Sequence, residues 1–271
     1  MNICELSKRR KPIIGALHFS PLLGYDGFLG YDKILENALK DMDALAQGGA
    51  DAVIIENNYD IPHTVNVGPN TISSMTYLGA ELKRNSTLPM GVSVLWNDFR
   101  ASLSIAKTIG ACFIRVPVFV DAVRTDFGEI YATPADVIEY RRKLHGEDIA
   151  ILADIQVKHA QMLKKIPISE SARMAEHAHA DAVIVTGSWT GIPPTIEDLD
   201  EVNHNTNVPV LIGSGLDKDN ANKLLKHADG AIVSTSIKEG ISDALSERNV
   251  KPYTARISKT KVKLLMDELI V

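Results

Sequence analysis

Residues 179–187 read HADAVIVTG and residues 227–236 read HADGAIVSTS. Each joins a small-residue turn carrying an acid to a short Val/Ile-rich run, then closes on Thr, Ser or Gly. That is how a helix turns into a parallel strand buried on both faces. Two further stretches follow the pattern, GADAVIIEN at 49–57 and GACFIRV at 110–116. Four more apolar runs lie between them: IIGALHF (13–19), MGVSVLWN (90–97), IAILADIQV (149–157) and PVLIGSG (209–215). The eight runs alternate with stretches of helical spacing, and the repeated turn enters the second, fourth, sixth and eighth. A (β/α)8 TIM barrel built from quarter-barrels leaves that double periodicity. A doubly wound open sheet is the competing topology, and it asks for an early GxGxxG that is absent here.

The helical stretches carry their own signals. Leu35, Leu39, Met42, Leu45 and Ala46 recur at helical spacing, and Gly48-Gly49 ends that helix. Leu103, Ala106, Lys107 and Ile109 precede Gly110, and Asp217 is placed to cap a helix running through Leu224 and Leu225. The tail from about Ala255 to Leu269 reads as an amphipathic helix with Val262, Leu265, Met266 and Leu269 on one face. Longer inserts occupy 59–71 and 120–133. No Pro- or Ser-rich linker divides the chain, so residues 1–271 are read as one α/β barrel domain.

Composition narrows the functional classes. The chain has 271 residues, 45% hydrophobic and 23% charged, with a net charge of -5. A mildly acidic chain lacks the clustered Lys and Arg that nucleic acid demands. Cys4 and Cys112 sit in no CxxC or Cys/His cluster, which argues against a disulfide framework or a structural zinc site. The basic run Lys8–Lys11 precedes only a short apolar stretch, and no run approaches a membrane span. These features predict a soluble, cytoplasmic protein.

Barrel chemistry sits at the C-terminal ends of strands. Those ends carry His18; Glu56 with Asn57; Asn97 with Asp98; Arg115; and Asp154, Gln156, Lys158 and His159. Alternation turns Glu56, in step with Ile54, and the set Asp154, Gln156 and Lys158 toward the barrel axis. An inward Arg115 needs carboxylate partners, because an unpaired buried charge is costly. The expected arrangement is therefore one polar cluster of Glu56, Arg115 and Asp154. Asp98 serves equally well as a helix cap. The last strand ends carry Gly187-Ser188, Gly213-Ser214-Gly215 and Ser234-Thr235-Ser236. Glycine at the seventh end and a short helix after the eighth suit an anion, so phosphate or a phosphoester is expected there.

These motifs together resemble the BtpA family (SgcQ-like proteins). The resemblance runs nearly the full length, through GALHFSPLLG, GADAVIIENNYD, VSVLWND, IRVPVF, ADIQVKHA, VTGSWTGIPP, LIGSGL and AIVSTSIKEG. His18, Glu56-Asn57, Asn97-Asp98, Arg115, Asp154 and Lys158-His159 match the family's pattern. The resemblance implies a TIM barrel of the phosphate-binding group, akin to the ribulose-phosphate-binding barrels. The family takes its name from a cyanobacterial member implicated in photosystem I accumulation, and other members lie beside sugar-uptake genes. It does not deliver a reaction.

The leading reading is an enzyme, a lyase, isomerase or hydrolase, on a phosphorylated sugar or nucleotide-like metabolite. Asp154 or Glu56 would act as base, His18 and Asn97 would orient hydroxyls, and Lys158 would polarise an oxygen or form an imine. Two carboxylates beside a single Arg favour the electrostatic role for Lys158. The alternative is a non-catalytic assembly or regulatory factor that uses the barrel as a binding module. A divalent ion and a flavin both stay open, though no ligand spacing demands a metal. The subunit count stays open too, a homo-oligomer included.

Overall fold

A computed structural model describes residue 6 and residues 11–240 and 252–269. Cys4, Lys8, Arg9 and Arg10 lie outside the described residues. Eight parallel strands close into a barrel: β1 (Ile13–His18), β2 (Ala52–Glu56), β3 (Met90–Ser93), β4 (Phe113–Val116), β7 (Ala150–Ile155), β9 (Ala182–Val185), β10 (Val210–Ile212) and β11 (Gly230–Val233), in that order around the ring. All eight fall within the apolar runs. The helices wrap outside: α1 (Tyr31–Gly48), α2 (Pro69–Asn85), α3 (Phe99–Ile109), α4 (Pro134–Lys143), α5 (Ile168–His177), α6 (Ile196–Asn203), α7 (Ala221–Leu224) and α8 (Lys259–Asp267). No helix among the described residues is long and apolar enough to cross a membrane.

The repeated turn has a physical purpose. The Asp of each acid-bearing copy accepts an N–H from the first or second residue of the preceding barrel strand. Ile13 donates to Asp51, Ile151 to Asp181 and Val210 to Asp229, at 2.8, 2.8 and 2.9 Å. The same aspartates donate their own N–H back to the carbonyls of Ile13, Ile151 and Val210. Strand starts at the bottom of the barrel thus have their backbone groups satisfied reciprocally. In the copy that enters β4, Cys112 takes the acid's place, and its thiol donates to Met90 O at 3.4 Å.

Inside the ring, Ala16, Ala52, Ala150 and Ala182 share one core with Phe113 and with Ile14, Ile54, Leu152, Ile184, Leu211 and Ile232. A Cβ on Gly91 would stand 2.0 Å from Phe113 Cε2, so the aromatic ring occupies space that only glycine leaves. The second, larger core lies between strands and helices.

Three expectations shift. α8 begins at Lys259 rather than near Ala255, and α7 has four residues, with Asp217 accepting the N–H groups of Asp219 and Asn220 in a turn. On α1 the buried stripe is Ile34, Ala38, Asp41, Met42 and Leu45; Leu35 and Leu39 are half-buried and Ala46 is exposed. The insert at 120–133 folds as a hairpin, β5 (Ala122–Thr125) with β6 (Gly128–Tyr131), extended by β8 (Gln161–Met162) into a small antiparallel sheet. It covers Trp96, Val118 and Val157 beside the barrel mouth.

Candidate active site

Register fixes the floor of the site. His18 pairs with Glu56 across β1 and β2, and Glu56 with Ser93 across β2 and β3. Glu56, Arg115 and Asp154 each continue the inward rows of Ile54, Phe113 and Leu152. Arg115 Nε–H and Nη2–H donate to the two oxygens of Asp154, both at 2.8 Å, and Nη1–H donates to Glu56 Oε1 at 3.3 Å. The Asp154 side chain is 0% exposed and that of Arg115 9%. The bidentate fork matches guanidinium geometry and gives both charges a partner. Burial works to lower the Arg115 pKa, but the two carboxylates outweigh it and hold the guanidinium above the usual arginine value.

His18 extends the network. Its Nε2 lies 3.3 Å from Glu56 Oε2, and Lys238 Nζ lies 3.3 Å from its Nδ1. Burial, then the Lys238 ammonium, lowers the His18 pKa to about 4. Burial works to raise the Glu56 carboxyl, but the His18 hydrogen bond and the Arg115 charge overcome it and carry it to about 2. His18 is therefore neutral: the Lys238 ammonium can only donate, so Nδ1 accepts and Nε2 carries the single proton toward Glu56. Lys238 also donates to the Tyr59 hydroxyl at 3.3 Å. Lys238 is buried, and strand alternation could not have found it. It follows a single 3-10 turn, Thr235–Ile237, which breaks the period of two. The only signal available was a lysine closely following a strand end.

Alternation also fails just past β7. Gln156 has φ 47 and His159 φ 61, the left-handed region that bulky side chains avoid. Gln156 therefore turns away from the axis, toward Ile166 O and the α5 residue Ser171. The same reversal brings Lys158 into the mouth, where Nζ donates to Gly213 O at 3.1 Å. Burial, and next the Arg115 charge, lowers the Lys158 pKa to about 8. The two carboxylates expected beside this lysine are engaged by Arg115 and His18 and form no ion pair with it among the described residues. His159 packs edge-to-face on Trp189 at 4.2 Å and shares a 2.7 Å hydrogen bond with Thr190; burial drops its pKa to about 4.

Two other expected site residues are placed elsewhere. Asn97 spends its amide on the backbone of Val118, donating to its O at 3.1 Å and accepting from its N–H at 2.8 Å, so it fastens the β3 and β4 loops together. Asp98 caps α3 by accepting from Ala101 N–H. Asp154 and Glu56 are also poorly suited as bases, since their oxygens are held by Arg115 and His18.

The anion corner is partly as expected. Gly213, Ser214, Gly215, Ser234, Thr235 and Ser236 line a cavity of about 1140 Å³ that opens above the charged floor. The hydroxyls of Ser234 and Thr235 make no hydrogen bond within the described residues, while Ser236 donates to Leu216 O. Gly187 and Ser188 do not line it: the Gly187 N–H donates to Ser214 Oγ, and Ser188 is exposed. The glycines answer to packing as well as to any anion. A Cβ on Gly215 would fall 2.1 Å from Pro193 N, and one on Gly187 2.3 Å from Ile192 O. Residues 192–193 press on both. Among the described residues no three His, Cys, Asp or Glu side chains converge as a metal-binding set.

Comparison with known proteins agrees with the barrel. The BtpA family model matches residues 9–259. An uncharacterized protein of Pyrococcus horikoshii is 39% identical over 247 residues, 89% of this chain and 94% of its own. The photosystem I biogenesis protein BtpA of Synechocystis is 36% identical over 259 residues, 93% of this chain and 90% of its own. Among solved structures, thiamine phosphate pyrophosphorylase from Pyrococcus furiosus superposes with a TM-score of 0.59 at 15% identity, over 97% of each chain, which shows a shared fold.

Proposed function

The chain belongs to the BtpA family, and from that premise we propose that it is an enzyme acting on a phosphorylated sugar or nucleotide-like metabolite at the C-terminal face of its barrel. The observation that carries this reading is the buried network His18–Glu56–Arg115–Asp154 with Lys238, beneath an open cavity. Each buried ion forfeits several kcal/mol of hydration, and apolar side chains of equal volume would serve stability as well or better. A fixed set of charges at a cavity floor has its use when it faces charge that develops on a substrate.

In this reading the anionic end lies against Gly215 and the hydroxyls of Ser234 and Thr235, beside Ser236. The reacting carbon sits over Lys158 and the network. The chemistry is proton transfer beside a carbonyl, isomerisation or cleavage. Lys158 is the group placed to act on the substrate, with His18 and Arg115 anchoring the carboxylates beneath it. The low cysteine content suits a reducing, cytoplasmic setting. A second reading, a non-catalytic assembly factor, is favoured by the Synechocystis relative, a photosystem I biogenesis protein.

Thermal unfolding with inorganic phosphate, ribose 5-phosphate and dihydroxyacetone phosphate separates the two. Ligand at a hundred times its Kd stabilises by about 2.7 kcal/mol. Thr235→Asp places a negative charge in the corner and should remove that shift. No shift from any of the three compounds would favour the second reading.

A further inference from the structure

Lys158 occupies an unusual position. Among the described residues, its one hydrogen bond from Nζ goes to the carbonyl of Gly213, a neutral acceptor, at the foot of the corner formed by Gly215 and Ser234–Ser236. No carboxylate forms an ion pair with it among the described residues. The neighbouring acids Glu56 and Asp154 are engaged by Arg115, and Glu56 by His18 as well. The left-handed residues Gln156 and His159 bracket it and turn it into the cavity. An amine with no ion-pair partner, buried between a guanidinium and an anion corner, is suited to covalent chemistry more than to holding charge.

We propose that Lys158 is a covalent catalyst whose Nζ condenses with the carbonyl carbon of an aldose or ketose phosphate to form an imine. The proposal rests on the reading of the corner as a phosphate site, since that site would set the carbonyl beside Nζ. The amine lone pair forms the C–N bond, and the carbonyl oxygen takes up a proton. That proton comes from solvent; one further proton, given up by nitrogen, lets the oxygen leave as water and leaves a protonated C=N. No oxidation state changes. The protonated imine draws electrons from the adjacent carbon, which makes proton removal or C–C cleavage there easier. The substrate class is thereby narrowed to phosphorylated compounds with a free or openable carbonyl.

Several charged groups bear on the Lys158 proton. Arg115 from β4 disfavours it, while Glu56 from β2 and Asp154 from β7 favour it. His18 on β1 and His159 on the β7 loop feel the lysine charge in turn. Lys238 acts on the same cluster through His18. Burial and Arg115 prevail and set the pKa near 8. At pH 7.5 that leaves about two orders of magnitude more free amine than a lysine at its ordinary value of about 10.4.

The test uses pyridoxal 5′-phosphate, an aldehyde bearing a phosphate, with borohydride reduction and peptide mass mapping on the full chain. Lys158 should label at least tenfold faster than any other lysine at pH 7.5. Its rate should rise to a half-maximum near pH 8, and ribose 5-phosphate should protect it. Lys158→Arg, which keeps the charge, should lose the fast label. Labelling of Lys158 at the rate of a surface lysine overturns the proposal, and that wild-type result does not depend on any variant folding. Fast labelling of Lys158 without protection by ribose 5-phosphate or inorganic phosphate sustains the nucleophile and refutes the phosphate corner. Protection and thermal shifts without fast labelling do the reverse.

Discussion

Replacing Arg115 with Met tests the charged floor as a physical object. The substitution removes the cation and keeps most of the volume. It leaves Asp154, 0% exposed and held by both of its oxygens, without a partner, and takes one of the two contacts from Glu56. Breaking a buried pair from one side costs about 3–5 kcal/mol, because the remaining charge stays desolvated. At about 2–4 °C per kcal/mol for a chain of this order of size, the midpoint should fall by about 10 °C. The double variant Arg115→Met/Asp154→Leu should recover more than half of the loss, since the stranded charge is gone. Acid response gives a second readout. Glu56 has its folded pKa lowered from 4.5 to about 2, so its contribution is complete above about 4.5 and is lost as pH falls toward 2. Arg115→Met should shrink that acid-sensitive part. The assay is thermal and urea unfolding followed by circular dichroism. A single variant that loses less than about 1 kcal/mol, or a double variant no better than the single, would refute the reasoning, because the charges would then be solvated.

The remaining predictions concern neighbouring features. His18 should stay neutral with its proton on Nε2 from pH 8 down to pH 5.5, as its folded pKa of about 4 requires, and nitrogen NMR showing an imidazolium at pH 7 would contradict the network as described. Asn97→Ala should cost about 1–3 kcal/mol by stranding the Val118 backbone groups, yet leave ligand affinity within about threefold, measured by titration calorimetry. Asp229→Ala should destabilise by a similar 1–3 kcal/mol, through the orphaned Val210 N–H at the barrel bottom, without altering ligand-induced thermal shifts.

The barrel was readable because burial on both faces leaves Val/Ile-rich runs, and because the recurring GAD and HAD turns mark a repeated structural task. Alternation also carried inward placement correctly through Glu56, Arg115 and Asp154, where the backbone is a regular strand. It broke at Gln156, whose left-handed backbone reverses the side chain, and at Lys238, which lies past a one-turn helix. Asn97 misled because an amide that pairs with backbone looks, in sequence, like one that awaits a ligand. Gly187 and Gly215 read as room for an anion, whereas the Ile192–Pro193 backbone occupies the space their missing Cβ atoms leave. The β5–β6 hairpin was legible as an insert only, since its pairing with β8 bridges a long stretch of chain.

The central claim is that a phosphorylated metabolite lies over the charged floor with its anionic end among Gly215, Ser234, Thr235 and Ser236. A crystal structure of the protein with ribose 5-phosphate tests it most directly. The account predicts phosphate oxygens within hydrogen-bonding distance of the Ser234 and Thr235 hydroxyls, with the sugar carbonyl or its C1 facing Lys158. A ligand bound at the opposite end of the barrel, or an empty corner at saturating concentration, would contradict it.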